Sequence, residues 1–297
     1  MRRILQLSAL CIVAAAASAC SPDTTVSDPV QPFAGVRFIN AVPDTAGAFG
    51  LDFRFVDIVE NSDAFRITFR NNPQSSGGVT ASQAVQYKAA QPGSRHFRVF
   101  LDDTLQSAAS TVLADSTATL EANHLYTFLL WGNARSTGSD KMRLTVIDET
   151  VADPGTNVAL RVINASGQAV DVRQYASSLP ASATWANVAP YTVSSYVTTP
   201  PATLKFDVQP AGGGTALFSD ITAIPGQPAG TATGGCTVGV DCTSTPGTTV
   251  AGSAVTLIVF PRSVAGSRAA SFTTMGGAFV WDRRPTTTNT CTVSFGC

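Results

Sequence analysis

Histidine and charged residues are scarce in this chain of 297 residues. It has two histidines, His96 and His124, and only 13% of its residues are charged, with 19 Lys and Arg against 20 Asp and Glu. Two histidines exclude a histidine-rich metal site, and neither lies in a recognisable nucleophile-base motif. A net charge of −1 lacks the basic excess with which proteins neutralise nucleic-acid phosphates. These absences argue against a histidine-dependent hydrolase and against a nucleic-acid binder.

Long apolar segments are also missing, apart from one at the N-terminus. The run from Ile4 to Ala19 has 16 residues, fewer than the roughly 20 that a membrane-spanning helix needs. It follows two arginines and leads through small residues into Cys20. This pattern resembles a bacterial lipoprotein signal, in which residues 1–19 are removed and the Cys20 thiol is acylated. The alternative is an ordinary secretory signal that is cut after Ala19.

The segment that follows predicts a tether. Residues 20–32 are rich in Ser, Thr, Asp and Pro and have no hydrophobic period, which is typical of a flexible linker. Ser21, rather than Asp, follows Cys20, and this resembles the outer-membrane sorting class of Gram-negative lipoproteins. We therefore expect an exported protein that is attached to the cell envelope, at the outer membrane, by its lipid alone.

From residue 33 onward, apolar and polar residues alternate in short runs. Val36-Arg37-Phe38-Ile39, Leu51–Phe55 and Leu125–Trp131 are examples, and Gly, Pro and Asn separate the runs. A period of two is typical of β-strands, and no window has a sustained helical stripe. We expect an all-β fold in which the apolar side chains face a core while Arg, Asp and Thr face water.

Internal matches indicate that one β-rich unit is present twice. Val36–Ala41 matches Leu160–Ala165 at an offset of 124, and Tyr87 matches Tyr196 at an offset of 109. Val146-Ile147-Asp148 and Val280-Trp281-Asp282 match at an offset of 134. These matches predict domains at 33–152 and 156–285, a Cys-containing insertion near 225–252 in the second, and a Thr-rich tail at 286–297.

The motif Arg37-Phe38-Ile39-Asn40-Ala41-Val42-Pro43-Asp44 and its counterpart at Arg161–Ser166 resemble the opening of a bacterial family, domain of unknown function 4397. That opening reads approximately Arg-apolar-apolar-Asn-Ala-Ser-Pro-Asp. This chain departs from it at Val42 and, in the second copy, at Gly167-Gln168. The resemblance implies two tandem immunoglobulin-like β-sandwiches in an exported protein, and it implies no activity. For Asn40, Asp44 and Asn164 the expected role is turn formation rather than ligand binding.

The four cysteines outside the N-terminal region form two Cys-x5-Cys pairs, Cys236 with Cys242 and Cys291 with Cys297. An even set of cysteines in an exported chain indicates disulfides. Two local bridges are the preferred interpretation, and cross-pairing of the tail with the insertion is the alternative. Zinc sites use Cys-x2-4-Cys spacing, so we expect neither a metal nor a cofactor.

No catalytic residue is predicted, because the sequence lacks a nucleophile elbow and a phosphate-binding loop. The first hypothesis is a non-catalytic binding or structural module that presents loops to a polysaccharide or protein partner. The others are a passive spacer or assembly accessory of an envelope machine, and a glycan-active enzyme that uses the scattered carboxylates. Trp185, in the polar segment Ala-Thr-Trp-Ala-Asn, offers a sugar-stacking surface, although a partly buried anchor is the preferred interpretation.

Overall fold

Strands form nearly all the regular structure of this protein. The computed structural model describes residues 32–45, 51–58, 65–67, 70, 87–226, 246–267 and 272–285. In those ranges the single helix, α1 (Gln106–Ala109), has four residues. No helix of the described ranges has the length and apolarity that a membrane crossing requires. The predicted all-β fold is confirmed.

Eight strands of the first repeat form two four-stranded sheets. The outer sheet 1 has the order β3-β2-β5-β6, and the inner sheet 1 has the order β4-β1-β7-β8. Their bounds are β1 (Ala34–Asn40), β2 (Leu51–Phe55), β3 (Phe65–Ile67), β4 (Lys88–Ala90), β5 (Gly93–Leu101), β6 (Val112–Leu120), β7 (Leu125–Trp131) and β8 (Arg143–Asp148).

The second repeat has the same arrangement. Its inner sheet 2 has the order β12-β9-β16-β17, with β13 also paired to β9, and its outer sheet 2 has the order β11-β10-β14-β15. The strands are β9 (Val158–Asn164), β10 (Val170–Tyr175), β11 (Trp185–Val188), β12 (Thr192–Val193), β13 (Val197–Thr199), β14 (Lys205–Pro210), β15 (Phe218–Thr222), β16 (Ala254–Phe260) and β17 (Gly276–Arg283).

Three apolar cores lie between the four sheets. One core joins the two sheets of the first repeat and includes Phe38, Phe53 and Phe128. A second joins the two sheets of the second repeat and is centred on Phe206 and Phe279. The third lies between the two inner sheets and is built from Ile39, Ala41, Leu129, Trp131, Ile163, Ala165, Ile258, Phe260, Ala278 and Val280. The sheets therefore stack in four layers, and the central strands β1, β9 and β16 of the inner sheets are buried along their whole length.

Burial on both faces explains why some polar side chains are not in water. Every residue of β1 and β9 is buried, so the alternate side chains that leave one core enter another. The expectation that Arg and Asp in these runs face water is wrong for Arg37, which exposes 1% of its surface. It is also wrong for Asp52 on the outer strand β2, which exposes 4% and pairs with Arg54. For Arg37 the reason is its place in the inner sheet. A strand in the middle of a stacked sheet has no water-facing side.

Strand pairing also corrects the alignment of the closing strands. β7 pairs with β8 through Thr127 and Ile147, whereas β16 pairs with β17 through Thr256 and Val280. Since Thr127 faces Arg37 on β1 and Thr256 faces Arg161 on β9, the offset is 133 rather than 134. The counterpart of Asp282 is consequently Glu149, not Asp148.

Several predicted features lie outside the described residues. These are the signal at 1–19, Cys20 and almost all of the tether, the tail at 286–297, and the cysteines Cys236, Cys242, Cys291 and Cys297. Of the insertion, only the two ends are described. They are held side by side, because Thr248 N–H donates to Ile224 O over 2.8 Å and Thr249 N–H to Pro225 O over 2.8 Å.

Candidate functional site

Four charged side chains are buried between the two inner sheets, and we call them the inter-repeat quartet: Arg37, Glu149, Arg161 and Asp282. Arg37 Nη2 lies 3.2 Å from Glu149 Oε1 and 2.6 Å from Asp282 Oδ1. Arg161 Nη2 donates to Glu149 Oε2 and lies 3.6 Å from Asp282 Oδ1. The shortest contacts of each arginine include the acid of the other repeat, so the quartet joins the repeats. Two cations and two anions leave it neutral.

Each repeat surrounds its arginine with the same two residue types. Arg37 Nε donates to Thr127 Oγ1 over 2.7 Å, and Arg161 Nε donates to Thr256 Oγ1 over 2.8 Å. The guanidinium carbon of Arg37 lies 4.6 Å from the ring centre of Tyr87, and that of Arg161 lies 4.7 Å from Tyr196. A cation over an aromatic face is favourable, more so where water is excluded. The duplicated Arg, Thr and Tyr positions therefore form one shared polar core.

The electrostatics of the quartet reflect its burial. Desolvation raises the pKa of Glu149, repulsion from Asp282 adds to the increase, and Arg37 and Arg161 oppose it. Desolvation works against the charged form of Arg37, but Tyr87, Asp282 and Glu149 outweigh it and raise its pKa. Since the four residues expose at most 5% of their surface, the quartet has no face for a ligand. It ties the inner sheets together.

The motif residues Asn40 and Asn164 end the central strands β1 and β9. Asn40 Oδ1 accepts from Val42 N–H over 3.0 Å, and Asn164 Oδ1 accepts from Ser166 N–H over 3.0 Å. The Asn164 amide also donates to the carbonyl oxygens of Gln168, Val188 and Ala189 over 2.8, 2.9 and 3.1 Å. An Asn side chain of this kind substitutes for backbone hydrogen bonds where a strand turns.

Asp44 anchors the hairpin between β7 and β8, which spans residues 132–142. Its Oδ1 accepts from Ala134 N–H over 2.6 Å and its Oδ2 from Arg135 N–H over 2.9 Å. The structure thus brings Asp44 to the hairpin, while Asn40 and Asn164 each serve the turn that follows their own strand. The three motif residues do not converge on one ligand position.

Loops of both repeats meet at the end of the stack where β1, β7, β9 and β16 finish, and we call this the loop end. Val264 N–H donates to Pro43 O over 3.1 Å, which joins the β16–β17 loop to the segment after β1. Arg135 Nη2 lies 3.5 Å from Gly266 O. The loop end therefore combines six segments of the chain: residues 41–45, 132–142, 165–169, 189–191, 261–267 and 272–275.

An arginine and two aromatic rings lie together at the loop end. The guanidinium carbon of Arg143 is 5.3 Å from the ring centre of Trp131 and 5.0 Å from that of Tyr191. The two rings meet edge to face at 6.1 Å. Tyr191, which comes from the second repeat, has a φ of 55°, a left-handed conformation that is uncommon for a bulky residue and costs energy. We call this group the aromatic-arginine cluster.

Polar groups of the hairpin border the aromatic-arginine cluster. Asn133 Nδ2 donates to Asp140 Oδ2 over 2.7 Å and lies 3.5 Å from the Tyr191 hydroxyl. Hydrogen bonds from Ser136 and Asn133 lower the pKa of Asp140. Burial raises the pKa of Tyr191, and the nearby Asp140 adds to that increase. The cluster therefore sits beside an ionised, already hydrogen-bonded carboxylate.

The two histidines lie apart from the loop end and from each other. His96 on β5 contacts Asp115, with Nε2 2.5 Å from Oδ1. His124 precedes β7, and its Nδ1 lies 2.9 Å from Asp148 Oδ2, a hydrogen bond that raises the histidine pKa. Within the described ranges, no three His, Cys, Asp or Glu side chains are placed to hold a metal ion.

Trp185 does not lie in a polar loop as the sequence suggested. It is the first residue of β11, exposes 7% of its surface and stacks on Phe206 at 6.2 Å. A sugar-stacking role for Trp185 is therefore wrong. The functional candidates that the sequence analysis missed are the inter-repeat quartet and the aromatic-arginine cluster, and the repeated Arg, Thr and Tyr positions were the available signal for the quartet.

Comparison with known families gives a match over the first half of the chain. Residues 34–175 match the family described as Domain of unknown function (DUF4397). The matched range begins with β1 and ends with β10, so it contains both the motif at Arg37 and its counterpart at Arg161. A comparison with curated proteins found no match. The predicted resemblance to this family is confirmed for residues 34–175.

Proposed function

We propose that this chain is an envelope lipoprotein, anchored through Cys20 at the outer membrane, whose two tandem immunoglobulin-like domains form a non-catalytic binding module. Its loop end meets a polysaccharide or protein partner beyond the tether. The lipid supplies attachment to the membrane, and the stacked sheets supply a rigid support for the loops.

The observation that carries this proposal is the junction of the two repeats. The apolar core between the inner sheets and the inter-repeat quartet hold the repeats in one arrangement. That arrangement places the β7–β8 hairpin of the first repeat beside Tyr191 and the β16–β17 loop of the second. Recognition surfaces are commonly built from several loops on a rigid β-sheet scaffold, and we therefore assign the partner-binding surface to the loop end.

Site-specific photo-crosslinking in the native cells tests the proposal on the full-length chain. A diazirine amino acid replaces Thr137, an exposed residue of the hairpin, and in a matched variant it replaces Thr156, an exposed residue at the opposite end of the stack. Position 137 is expected to yield a discrete adduct that stains as protein or carbohydrate, whereas position 156 yields none. Equal labelling at the two positions, or none at either, contradicts the binding role and favours the passive spacer.

The anchor is tested by Cys20→Ser in the same cells. Wild-type protein is expected in the outer-membrane fraction and to incorporate an alkyne-labelled fatty acid. The variant is expected to lose the label and to leave that fraction. Retention of the fatty-acid label in the variant contradicts the proposed lipid site.

A further inference from the structure

The guanidinium of Arg143 lies against two aromatic rings, and no residue in the described part of the chain accepts a hydrogen bond from it. The rings of Trp131 and Tyr191 both lie against the group, with centres 5.3 and 5.0 Å from its central carbon, and the residue is half-buried. Across the residues that the structure describes, no carboxylate or carbonyl oxygen accepts a hydrogen bond from it. Five N–H donors in a fixed fork are therefore available to an outside acceptor.

At the equivalent position of the second repeat lies an arginine from the first repeat, Arg70, whose donors are used. Trp131 pairs with Arg143 across β7 and β8, and the equivalent pair across β16 and β17 is Phe260 with Gly276. The place that a side chain at Gly276 would occupy is filled by Arg70, since a Cβ there would lie 2.6 Å from Arg70 Nη1. The guanidinium carbon of Arg70 lies 5.8 Å from the ring centre of Phe260 and 4.8 Å from that of Phe272.

At this second position the chain supplies its own acceptors. Arg70 Nη2 donates to Pro261 O over 2.6 Å and to Thr274 O over 2.7 Å. An arginine that lies against aromatic rings at this point of the inner sheet thus donates hydrogen bonds to two carbonyl oxygens. Around Arg143 the two rings are present, and a ligand that brings two oxygen atoms would supply the hydrogen-bond acceptors in the same way.

The charges nearby indicate which oxyanion fits. The Arg fork matches the two oxygens of a carboxylate or a phosphate. The ionised Asp140, linked to the cluster through Asn133 and Tyr191, disfavours a second negative charge. A singly charged carboxylate therefore fits better than a doubly charged phosphate.

The hairpin indicates what carries the carboxylate. Residues 133–141 contain amide, hydroxyl and charged side chains and no large apolar one. Protein partners are held mainly by apolar and aromatic anchors in desolvated pockets, whereas sugar hydroxyls need many polar partners. A sugar acid suits this surface better than an acidic peptide does.

We infer that the aromatic-arginine cluster of Arg143, Trp131 and Tyr191 is a binding site for the carboxylate of a uronic-acid residue in an acidic polysaccharide. Arg143 holds the two carboxylate oxygens, and Asn133 and the Tyr191 hydroxyl lie within reach of the adjoining sugar hydroxyls. This inference rests on the proposed binding role of the loop end, for which it names the ligand class.

Calorimetric titration of the detergent-solubilised full-length protein tests the inference. The probes are trigalacturonate, its methyl ester, inorganic phosphate and a Glu-rich peptide. Trigalacturonate is expected to bind, and the other three to bind at least tenfold more weakly. Arg143→Gln is expected to weaken trigalacturonate binding about tenfold or more, as loss of a charge-assisted hydrogen-bonded pair does. Arg143→Lys keeps the charge without the fork and is expected to weaken binding by a similar factor.

Arg284→Gln is the matched control, because Arg284 is an exposed arginine at the opposite end of the stack whose guanidinium carbon also lies against a tryptophan ring, 4.8 Å from the ring centre of Trp281. It is expected to leave affinity within about twofold, and thermal melting shows that each variant is folded. Equal loss in Arg284→Gln, equal binding of the methyl ester, or tighter binding of phosphate or peptide overturns the inference. A discrete adduct at position 137 in cells together with no trigalacturonate binding overturns the inference alone and leaves the proposed function standing.

Discussion

Removing one arginine from the inter-repeat quartet is expected to cost far more than removing a surface arginine. Arg37→Met leaves Glu149 and Asp282 buried with a single cation, Arg161. At the observed 3.2 and 2.6 Å, an effective dielectric constant of about 20 gives on the order of 5–6 kcal/mol for each lost attraction before desolvation is subtracted. Breaking a buried pair by removing one partner costs about 3–5 kcal/mol, and we expect a value in that range.

The assay is thermal and denaturant unfolding of the full-length protein, followed by circular dichroism. A cost of about 3–5 kcal/mol corresponds to a melting temperature lower by about 6–20 °C for a domain of this size. The control is Arg98→Met, which removes an exposed arginine whose Nε lies 2.8 Å from Asp115. Exposed ion pairs contribute about 0–1 kcal/mol, so the control is expected to remain close to wild type.

Two further observations separate a charge effect from a packing effect. The uncompensated carboxylates of Arg37→Met take up a proton more readily than in the unfolded chain, so the variant loses more stability at pH 8 than at pH 5. Adding Glu149→Gln restores neutrality and is expected to recover about 2 kcal/mol or more. A loss below about 1 kcal/mol, or no recovery in the double variant, refutes the role assigned to the quartet.

Three other perturbations follow from single contacts. The pKa of His124 lies above its ordinary 6.5 because Asp148 holds the ring. NMR titration of Asp148→Asn is expected to show a lower pKa for His124, and an unchanged pKa contradicts this. The stability that the pair contributes is fully present below pH 6.5 and is lost as the pH rises through the raised pKa of His124. Gly132→Ala is expected to destabilise the protein by more than about 1 kcal/mol, because the φ of Gly132 is 89° and a Cβ there would lie 2.6 Å from Lys141 O. Gly155→Ala is the matched control: a Cβ there would meet open space, and the expected cost is about 1 kcal/mol or less. Asn164→Ala is expected to cost about 2–4 kcal/mol, because three carbonyl oxygens and the Ser166 N–H lose their partner. Asn164→Asp is expected to cost at least as much, because it places a buried carboxylate oxygen against the same three carbonyl oxygens, and equal melting temperatures for all three proteins refute the turn assignment.

The strands could be predicted from the sequence because their signal is local. The predicted strands Leu51–Phe55 and Leu125–Trp131 coincide with β2 and β7. The alternation does not show whether the polar side chains of a strand face water or are buried against another sheet. Arg37 in an alternating run reads as a water-facing residue, and only the packing of the inner sheets against each other shows that it is buried.

The quartet was missed because one step of the repeat alignment was shifted by a residue. Matching Asp148 to Asp282 by chemical type hid Glu149, whose side chain is the one that faces Arg37 and Arg161. The register shift in the β16–β17 pairing, between Ala254 and Val255, cannot be predicted from the residue types of the two strands. The aromatic-arginine cluster depends on Tyr191, a residue distant in sequence from Trp131 and Arg143, so no local pattern predicts it.

The inner sheets hold the two repeats in one fixed arrangement, and a spin-label distance measurement tests this most directly. Keto amino acids carry the labels at Ser116 on β6 and Ser219 on β15, which are exposed residues of the two outer sheets. One narrow distance distribution is expected for the full-length protein and a broader one for Arg37→Met. A broad or two-peaked distribution in the otherwise wild-type chain would contradict it.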